Sequence, residues 1–337
     1  MGKFLNTFAN PKPQKTATAI AHPNIAFIKY WGNRNHLLRL PATGSISMNL
    51  EGLTTRTRVT FDATLEHDQL HINGKPADPQ ALKRVSEFLA LIRKQADIYW
   101  FARVDSENNF PMGTGIASSA SAFAALSLAA NAAAGLQLDE AALSRLARRG
   151  SGSACRSIPA GFVEWQAGQN DTDSFAASIA PPNHWNLVDC VAIISQEHKS
   201  TGSSDGHPLA STSPIQQIRI QQTPQNLETC RQAILKRDFD AFAQVTELDC
   251  NLMHAVMMTS NPALLYWQPA TLAVMHAVRA WRKSGLPVCY TIDAGPNLHV
   301  IGLQENQAQI TARLEAIPDV KSVVCASPGG AARLEPC

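Results

Sequence analysis

The sequence predicts an α+β fold, and three observations carry that expectation. Apolar residues alternate or run between turn residues in "TATAIAH", "IAFIKYW", "SISMNL" and "TRTRVTFD", the pattern of strands with one or both faces covered. In "ALKRVSEFLALIRKQA" they recur at helical spacing with charges opposite, which marks an amphipathic helix. The chain closes on "VCYTID", "LHVIGL", "QAQITARLEAI" and "SVVCAS", a β-β-α-β order suited to helices packed on one face of an antiparallel sheet.

Taken in order, residues 16 to 70 read as an antiparallel sheet, and "HINGKP" carries an Asn-Gly hairpin turn. A helix over 81–96 precedes a strand in "IYWFARVDS". The next helix begins near Ile116, is built largely of alanine and serine and stops at Gly135, so its backbone can approach a neighbour closely. A charged helix follows from Asp139 to about Arg149. Pro181 and Pro182 break both helices and central strands, which places a boundary between units 1–182 and 183–337. A length of 337 residues suits two units at ~150 residues each. The second unit opens on the strand "LVDCVAIIS", passes through a polar loop at 200–213, and then runs through three helical segments to about Ser284.

Lys and Arg number 29 against 27 Asp and Glu, with no long basic run, so a nucleic-acid track or a membrane-surface patch is not expected. Seven cysteines lie scattered without a CxxC pair, which reads as reduced thiols rather than a disulfide framework. No unbroken apolar run reaches ~18 residues, and a cytoplasmic protein without membrane partners is expected.

Three stretches could carry chemistry. In "PMGTGIASSASAFAAL" a Gly-rich turn feeds a serine-rich helix start, where free N–H groups and the helix dipole favour a phosphate. The same stretch serves equally as a capped helix of small, tightly packed residues, and it lacks the Gly-Lys-Ser of a Walker motif. In "GSGSACRS", Arg156 could clamp a carboxylate or phosphate bidentately. In isolation it reads as a solvated surface arginine. In "TIDAGPNLH", Asp293 ends a strand before a tight turn; such an acid is commonly an Asx-turn former and less commonly a catalyst. His22, His254 and His276 show no zinc spacing and read as structural, and no GxSxG nucleophile motif occurs.

Together, "NIAFIKYWG", "PMGTGIASSAS", "RRGSGSACRS", "MHAVMMTSNPALLYWQP" and "YTIDAGPN", collinear over almost the whole chain, resemble the diphosphomevalonate decarboxylase family of the GHMP kinase superfamily. The resemblance implies a two-domain GHMP kinase-like α+β fold with mixed sheets and the active-site cleft between domains. It also implies ATP with Mg²⁺, a phosphorylated mevalonate as substrate, and a homodimer. The implied reaction phosphorylates a tertiary 3-hydroxyl and then expels phosphate and CO₂ to leave an alkene.

By that resemblance Asp293 is the catalytic aspartate, Lys29 a lysine of the cleft, and Arg156, oriented by Asn24, the grip on the substrate carboxylate. Ser151 and Ser153 belong to the substrate loop, and Tyr30 bonds the distal substrate phosphate. Gly113, Gly115, Ser118 and Ser119 match the phosphate-binding turn, with Ser121 one helical step beyond and Lys75, beside Asn73, near the adenine. No metal ligand is assigned.

The chain departs from the family pattern in two places. "KYWGN" puts Asn33 where a second lysine normally stands, and "KSTGSSDGHP" puts Ser203, Ser204 and His207 where a cation and a methionine are usual. Each lost charge-assisted hydrogen bond costs ~1.5–3 kcal/mol, so a monophosphate would suffer less than a diphosphate. This reading favours mevalonate 5-phosphate, giving isopentenyl phosphate, unless Arg34 swings in as a substitute cation. The alternatives are the diphosphate ester, a kinase that stops at phosphorylation, and a binding protein without catalysis.

Overall fold

The computed structural model describes residues 14–110, 118–196 and 201–336. Helix α1 (Pro79–Ala96) begins two residues before the expected 81: Asp78 caps the N–H groups of Gln80 and Ala81, and Pro79 fills the first turn. Helix α2 (Ser118–Ala133) and helix α3 (Glu140–Gly150) follow, the second capped by Asp139. The first two lie on a six-stranded sheet ordered Arg333–Leu334, Gln14–Ala21, Thr55–Asp62, Phe101–Asn108, Gln69–Ile72, Lys75–Pro76. Val59, Phe61, Phe88, Leu89 and the alanines of α2 share its core. The sheet is antiparallel except where Gln69–Ile72 runs parallel to Phe101–Asn108. At the Asn-Gly hairpin both central residues have positive φ, 50° at Asn73 and 74° at Gly74, the geometry that a two-residue primed turn demands.

A second sheet, ordered Ala176–Ala180, Phe162–Trp165, Ser45–Asn49, Asn24–Ile28, has its last two strands buried on both faces. They are covered from the second half of the chain. Ile25, Phe27, Ile46 and Met48 share one core with Phe242, Cys289 and Ile301, so apolar packing crosses the 182/183 boundary. The strand Arg333–Leu334 likewise returns to the N-terminal sheet.

The second half contributes the short helix α4 (Ser203–Gly206), helices α5 (Gln216–Lys236), α6 (Phe239–Thr259), α7 (Pro269–Lys283) and α8 (Gln307–Glu315). Its own sheet runs Val288–Ile292, Leu298–Leu303, Leu187–Ile193, Ser322–Ala326, antiparallel throughout. Among the described residues no helix is long and apolar enough to cross a membrane.

Two expectations are corrected here. The polar stretch at 201–213 is not an open loop but α4 followed by a 3₁₀ turn over His207–Thr212, which buries His207 and Ala210. The strand expected through Trp31 stops at Ile28. Its register slips between Ala26 and Ile28, and side chains from α5 and α6 take up the backbone that follows.

Candidate active site

Backbone that leaves a sheet inside the protein still needs hydrogen-bond partners. The Lys29 N–H donates to Asp249 Oδ2 at 2.6 Å, and Arg219 Nη2 donates to the Lys29 carbonyl at 2.6 Å. Gln216 reaches the Trp31 carbonyl at 3.3 Å, and the Gly32 N–H donates to His207 Nδ1 at 3.0 Å. Arg219 and Asp249, 1% and 0% exposed, face each other at 3.5 Å, and Asn226 donates to the other Asp249 oxygen at 3.3 Å. Buried charges persist when paired and hydrogen-bonded in this way, although the Arg219 Nε meets no partner among the described residues.

The clamp aims the Lys29 side chain, 1% exposed, so that Nζ donates to Asp293 Oδ1 at 2.6 Å. Asp293 follows the strand Val288–Ile292, which Thr291 ties to the Ala26 carbonyl at 3.2 Å. Its side chain remains 29% exposed, so the carboxylate faces open space. Burial by itself would raise its pKa; the Lys29 ammonium, helped by His299 and Arg156, outweighs that and holds it below the usual carboxylate range. Asp293 is therefore an ionised acceptor at neutral pH.

Arg156 sits in the 3₁₀ turn Gly152–Ser157 at 3% exposure, so the solvated surface reading is excluded. Its guanidinium donates to Ser47 Oγ (3.0 Å), Ser45 Oγ (2.6 Å) and Asn24 Oδ1 (3.1 Å). Asn24 is fixed in turn by donating to Ser157 Oγ at 2.8 Å and to the Ser153 carbonyl at 3.1 Å. Every one of these partners is neutral, and burial lowers the Arg156 pKa. A buried guanidinium seated on neutral oxygens retains an unspent charge for an incoming anion.

Hydroxyls link the start of α2 to this turn, with Ser119 Oγ 3.2 Å from Ser151 Oγ, and Ser151 Oγ 3.5 Å from Ser153 Oγ. Beside them opens a cleft of about 190 Å³ walled by Leu70, Ile72, Val104 and Phe123, with Ser106 and Asn108 at its polar edge and Ser118 and Ser119 at one end. Arg84 stands in its wall, donating through Nη2 to the Gly150 carbonyl at 2.7 Å and lying over the Phe123 ring. Burial pushes its pKa down to about 10, and its buried Nε meets no partner among the described residues.

Gly113 and Gly115 lie outside the described residues. Ser121 does not reach the cleft: it is 0% exposed, with Oγ 2.6 Å from Thr55 Oγ1 on the sheet side. Lys75 is exposed on the outermost strand and is not among the residues walling the cleft. Asn73 instead accepts the Asn108 N–H at 3.0 Å, bracing the strand that forms the polar edge.

At the other end, Tyr30 donates to Asn33 Oδ1 at 2.6 Å, and burial raises its pKa against the pull of Arg39. His207 lies between Tyr30 and Trp31, with ring centroids at 4.1 and 4.7 Å. Burial lowers its pKa to about 3, helped by Arg39. It is a neutral, buried ring with the proton on Nε2, since Nδ1 accepts from Gly32, and so neither a surface-loop histidine nor a charged replacement for the family's cation. Ser203 and Ser204 are exposed on α4. Arg34 donates to the Ala167 carbonyl at 2.9 Å and its charge acts on Asp173, whereas the arginine acting on Tyr30 here is Arg39.

Sequence reading missed Asp249, Arg219, Arg39, Arg84 and the serines at 45, 47 and 157. One signal was available. On α6 the buried positions 242, 245, 246, 249, 253 and 256 form a stripe, and a carboxylate on an apolar stripe requires a buried partner.

Residues 21–176 match the family described as the diphosphomevalonate decarboxylase-like N-terminal domain, and residues 190–327 match the mevalonate 5-diphosphate decarboxylase C-terminal domain. The diphosphomevalonate decarboxylase of Candida albicans is 36% identical over 316 residues, covering 89% of this chain and 87% of the relative. A solved structure described as MDDEF in complex with MVAPP, AMPPCP and magnesium superposes with a TM-score of 0.91 at 39% identity, covering 96% of this chain and 100% of that one. Another, concerning mevalonate diphosphate mediated ATP binding by the mevalonate diphosphate decarboxylase from Enterococcus faecalis, gives a TM-score of 0.90 at 38% identity, with 96% and 100% coverage. On this agreement of sequence and fold, the chain belongs to the diphosphomevalonate decarboxylase family of the GHMP kinase superfamily.

Proposed function

We propose that this chain is an ATP-dependent decarboxylase that converts mevalonate 5-diphosphate to isopentenyl diphosphate, ADP, phosphate and CO₂. One observation carries the reading: an ionised Asp293 held by Lys29 on one side of the site, and Arg156 seated only on neutral oxygens on the other. A tertiary hydroxyl and a carboxylate on one substrate would meet these two groups at once.

Asp293 accepts the 3-hydroxyl proton as that oxygen attacks the γ-phosphoryl group of ATP, releasing ADP. The C3–O bond of the resulting phosphate ester then breaks with its electron pair on the departing phosphate. Having passed that proton to the departing phosphate, Asp293 is again a carboxylate and stabilises the positive charge developing at C3. The C1–C2 bond breaks next, its electrons form the alkene, and CO₂ leaves the Arg156 site. Arg156 fixes the carboxylate until it leaves as CO₂, and the Lys29 ammonium keeps Asp293 ionised before it takes the proton and favours its return to the carboxylate afterwards.

The apolar cleft beside Ser118 and Ser119 suits a nucleotide base, and the unpartnered Arg84 Nε suits a nucleotide oxygen. Mg²⁺ would be held chiefly by the phosphates and water, as this ion commonly is. That ion would supply charge neutralisation on the transferring group. The division into units 1–182 and 183–337 and the homodimer are part of the same proposal; the first is supported by two family matches that leave residues 177–189 between them.

The monophosphate preferred from sequence gains no support from the relatives, whose printed names concern the diphosphate. It stands as a second reading on one observation, the uncharged Asn33 and the neutral His207. Assays of mevalonate, its 5-phosphate and its 5-diphosphate with ATP and Mg²⁺, reading ADP and CO₂ together, test both. A higher kcat/KM for the diphosphate is expected; a higher value for the monophosphate overturns the substrate, and ADP without CO₂ overturns the decarboxylase.

A further inference from the structure

We propose that Arg39 supplies the cation for the distal phosphoryl group of the substrate, the charge that position 33 lacks. This rests on the diphosphate reading above and names the residue that makes it possible. Asn33 and Arg39 belong to one hairpin: strand Asn33–Asn35 pairs with Leu40–Pro41, Asn33 opposite Pro41 and Asn35 opposite Leu40, and Arg39 directly precedes Leu40. The turn is braced from beneath by the fully buried Arg148, whose Nε donates to the Leu38 carbonyl at 3.0 Å.

The Arg39 side chain is half-buried and folds inward, its Nε donating to the Arg149 carbonyl at 3.0 Å. There α3 gives way to the loop that carries Ser151 and Ser153. That loop rests on Tyr30 so closely that a Cβ at Gly152 would lie 2.4 Å from the ring. Arg39 is thus held against the substrate loop on the side of the Tyr30 phenol, and Asn33 occupies the phenol's hydrogen. Its charge is also felt at both aromatic groups there, opposing the rise at Tyr30 and deepening the fall at His207. Among the described residues it forms no ion pair and bonds only through Nε, so its two terminal amino groups are available.

A second guanidinium, Arg84, donates to the next carbonyl, Gly150, from the nucleotide side. Two arginines on successive carbonyls therefore flank the substrate loop, one lining the nucleotide cleft and the other beside Tyr30. This spacing fits two separate polyphosphate tails, one on each substrate. A terminal phosphoryl group beyond Tyr30 would take the Arg39 fork bidentately, as phosphate commonly does.

The test is Arg39→Gln, which removes the charge, keeps a donor toward the Arg149 carbonyl and leaves the left-handed backbone at φ 49° no more strained than before. For mevalonate 5-diphosphate we expect KM to rise about 10- to 100-fold with kcat within about threefold, the loss of one charge-assisted contact. For mevalonate 5-phosphate, KM should move less than about threefold. Arg39→Lys should recover part of the loss, and Asn33→Lys added to Arg39→Gln should recover most of it by returning the cation to position 33. Equal KM rises for both esters, or no rise for either, overturn the assignment. A wild-type preference for the 5-phosphate overturns the substrate reading instead and is read from the wild type alone, so the two failures are distinguishable. The thermal midpoint of Arg39→Gln should match that of the wild type, because the guanidinium holds no buried partner charge.

Discussion

The two ends of the site are built on opposite principles. Around the reacting atoms, Lys29, Asp293 and Arg156 are positioned by buried groups whose bonds are almost completely specified, down to Asn24 being held by Ser157 and Ser153. Around Tyr30 the same cleft is lined by neutral rings, an amide and a half-buried arginine on a hairpin turn. The first arrangement tolerates no displacement, because catalysis needs reacting groups within a few tenths of an ångström of their working positions. The second needs only to offer charge to a flexible tail, and one cation can replace another from a different strand. On the proposed reading, chemistry is built into the core and substrate choice into a surface hairpin.

Substitutions can break that contrast, and the largest effect is expected at Asp293. Asp293→Asn removes the base and should lower kcat for both ADP and CO₂ by about 10²–10⁴-fold. Circular dichroism should report an unchanged fold, and a variant with wild-type turnover would disprove the assigned role.

Next comes the clamp behind Lys29. Asp249→Ala strands the buried Arg219 charge and the Lys29 N–H, so denaturant unfolding should show a loss of about 3–5 kcal/mol. Because Lys29 then loosens, Asp293 should titrate higher, and the acid limb of the kcat/KM profile should move to higher pH. A purely structural role would shift the unfolding midpoint and leave that limb in place.

In the wild type the sign is the reverse. The Asp293 pKa is depressed in the folded protein, so its contribution to stability is present above the unfolded value of about 3.9 and is lost as pH falls through the lower folded value. Activity should accordingly persist down to the ordinary carboxylate range; a limb well above it, in the wild type, would contradict the Lys29–Asp293 geometry. The smallest effect is expected at Lys75, exposed on the edge strand. Lys75→Ala should change KM for ATP by less than about twofold, whereas a tenfold rise, about 1.4 kcal/mol, would place the adenine against that hairpin after all.

Much of this was legible in the chain. The Asn73–Gly74 turn and the closing β-β-α-β unit follow from local chemistry, because turn type and apolar periodicity depend on a few neighbouring residues. Arg156 and Asp293 were found by motif, but the exposure expected of Arg156 in isolation was wrong, since Ser45, Ser47 and Asn24 lie more than a hundred residues away in sequence. Ser121 was placed at the nucleotide by its nearness in sequence to the phosphate-binding turn, and Lys75 by the resemblance. On a helix the direction of a side chain changes by about 100° per residue, and two positions past Ser119 point into the sheet.

What the sequence determined by itself is therefore the α+β class, the family and the motif residues Lys29, Arg156 and Asp293, because periodicity and motifs are short-range properties. Only the tertiary structure decided which charges remain available. Arg219 and Asp249 neutralise each other around the Lys29 backbone, His207 is pressed neutral between two rings, and the charge of Arg34 acts on Asp173 while that of Arg39 acts on Tyr30. The physical reason is that ionisation and hydrogen-bond capacity depend on burial and on partners brought from distant segments, and those exist only once the chain has folded.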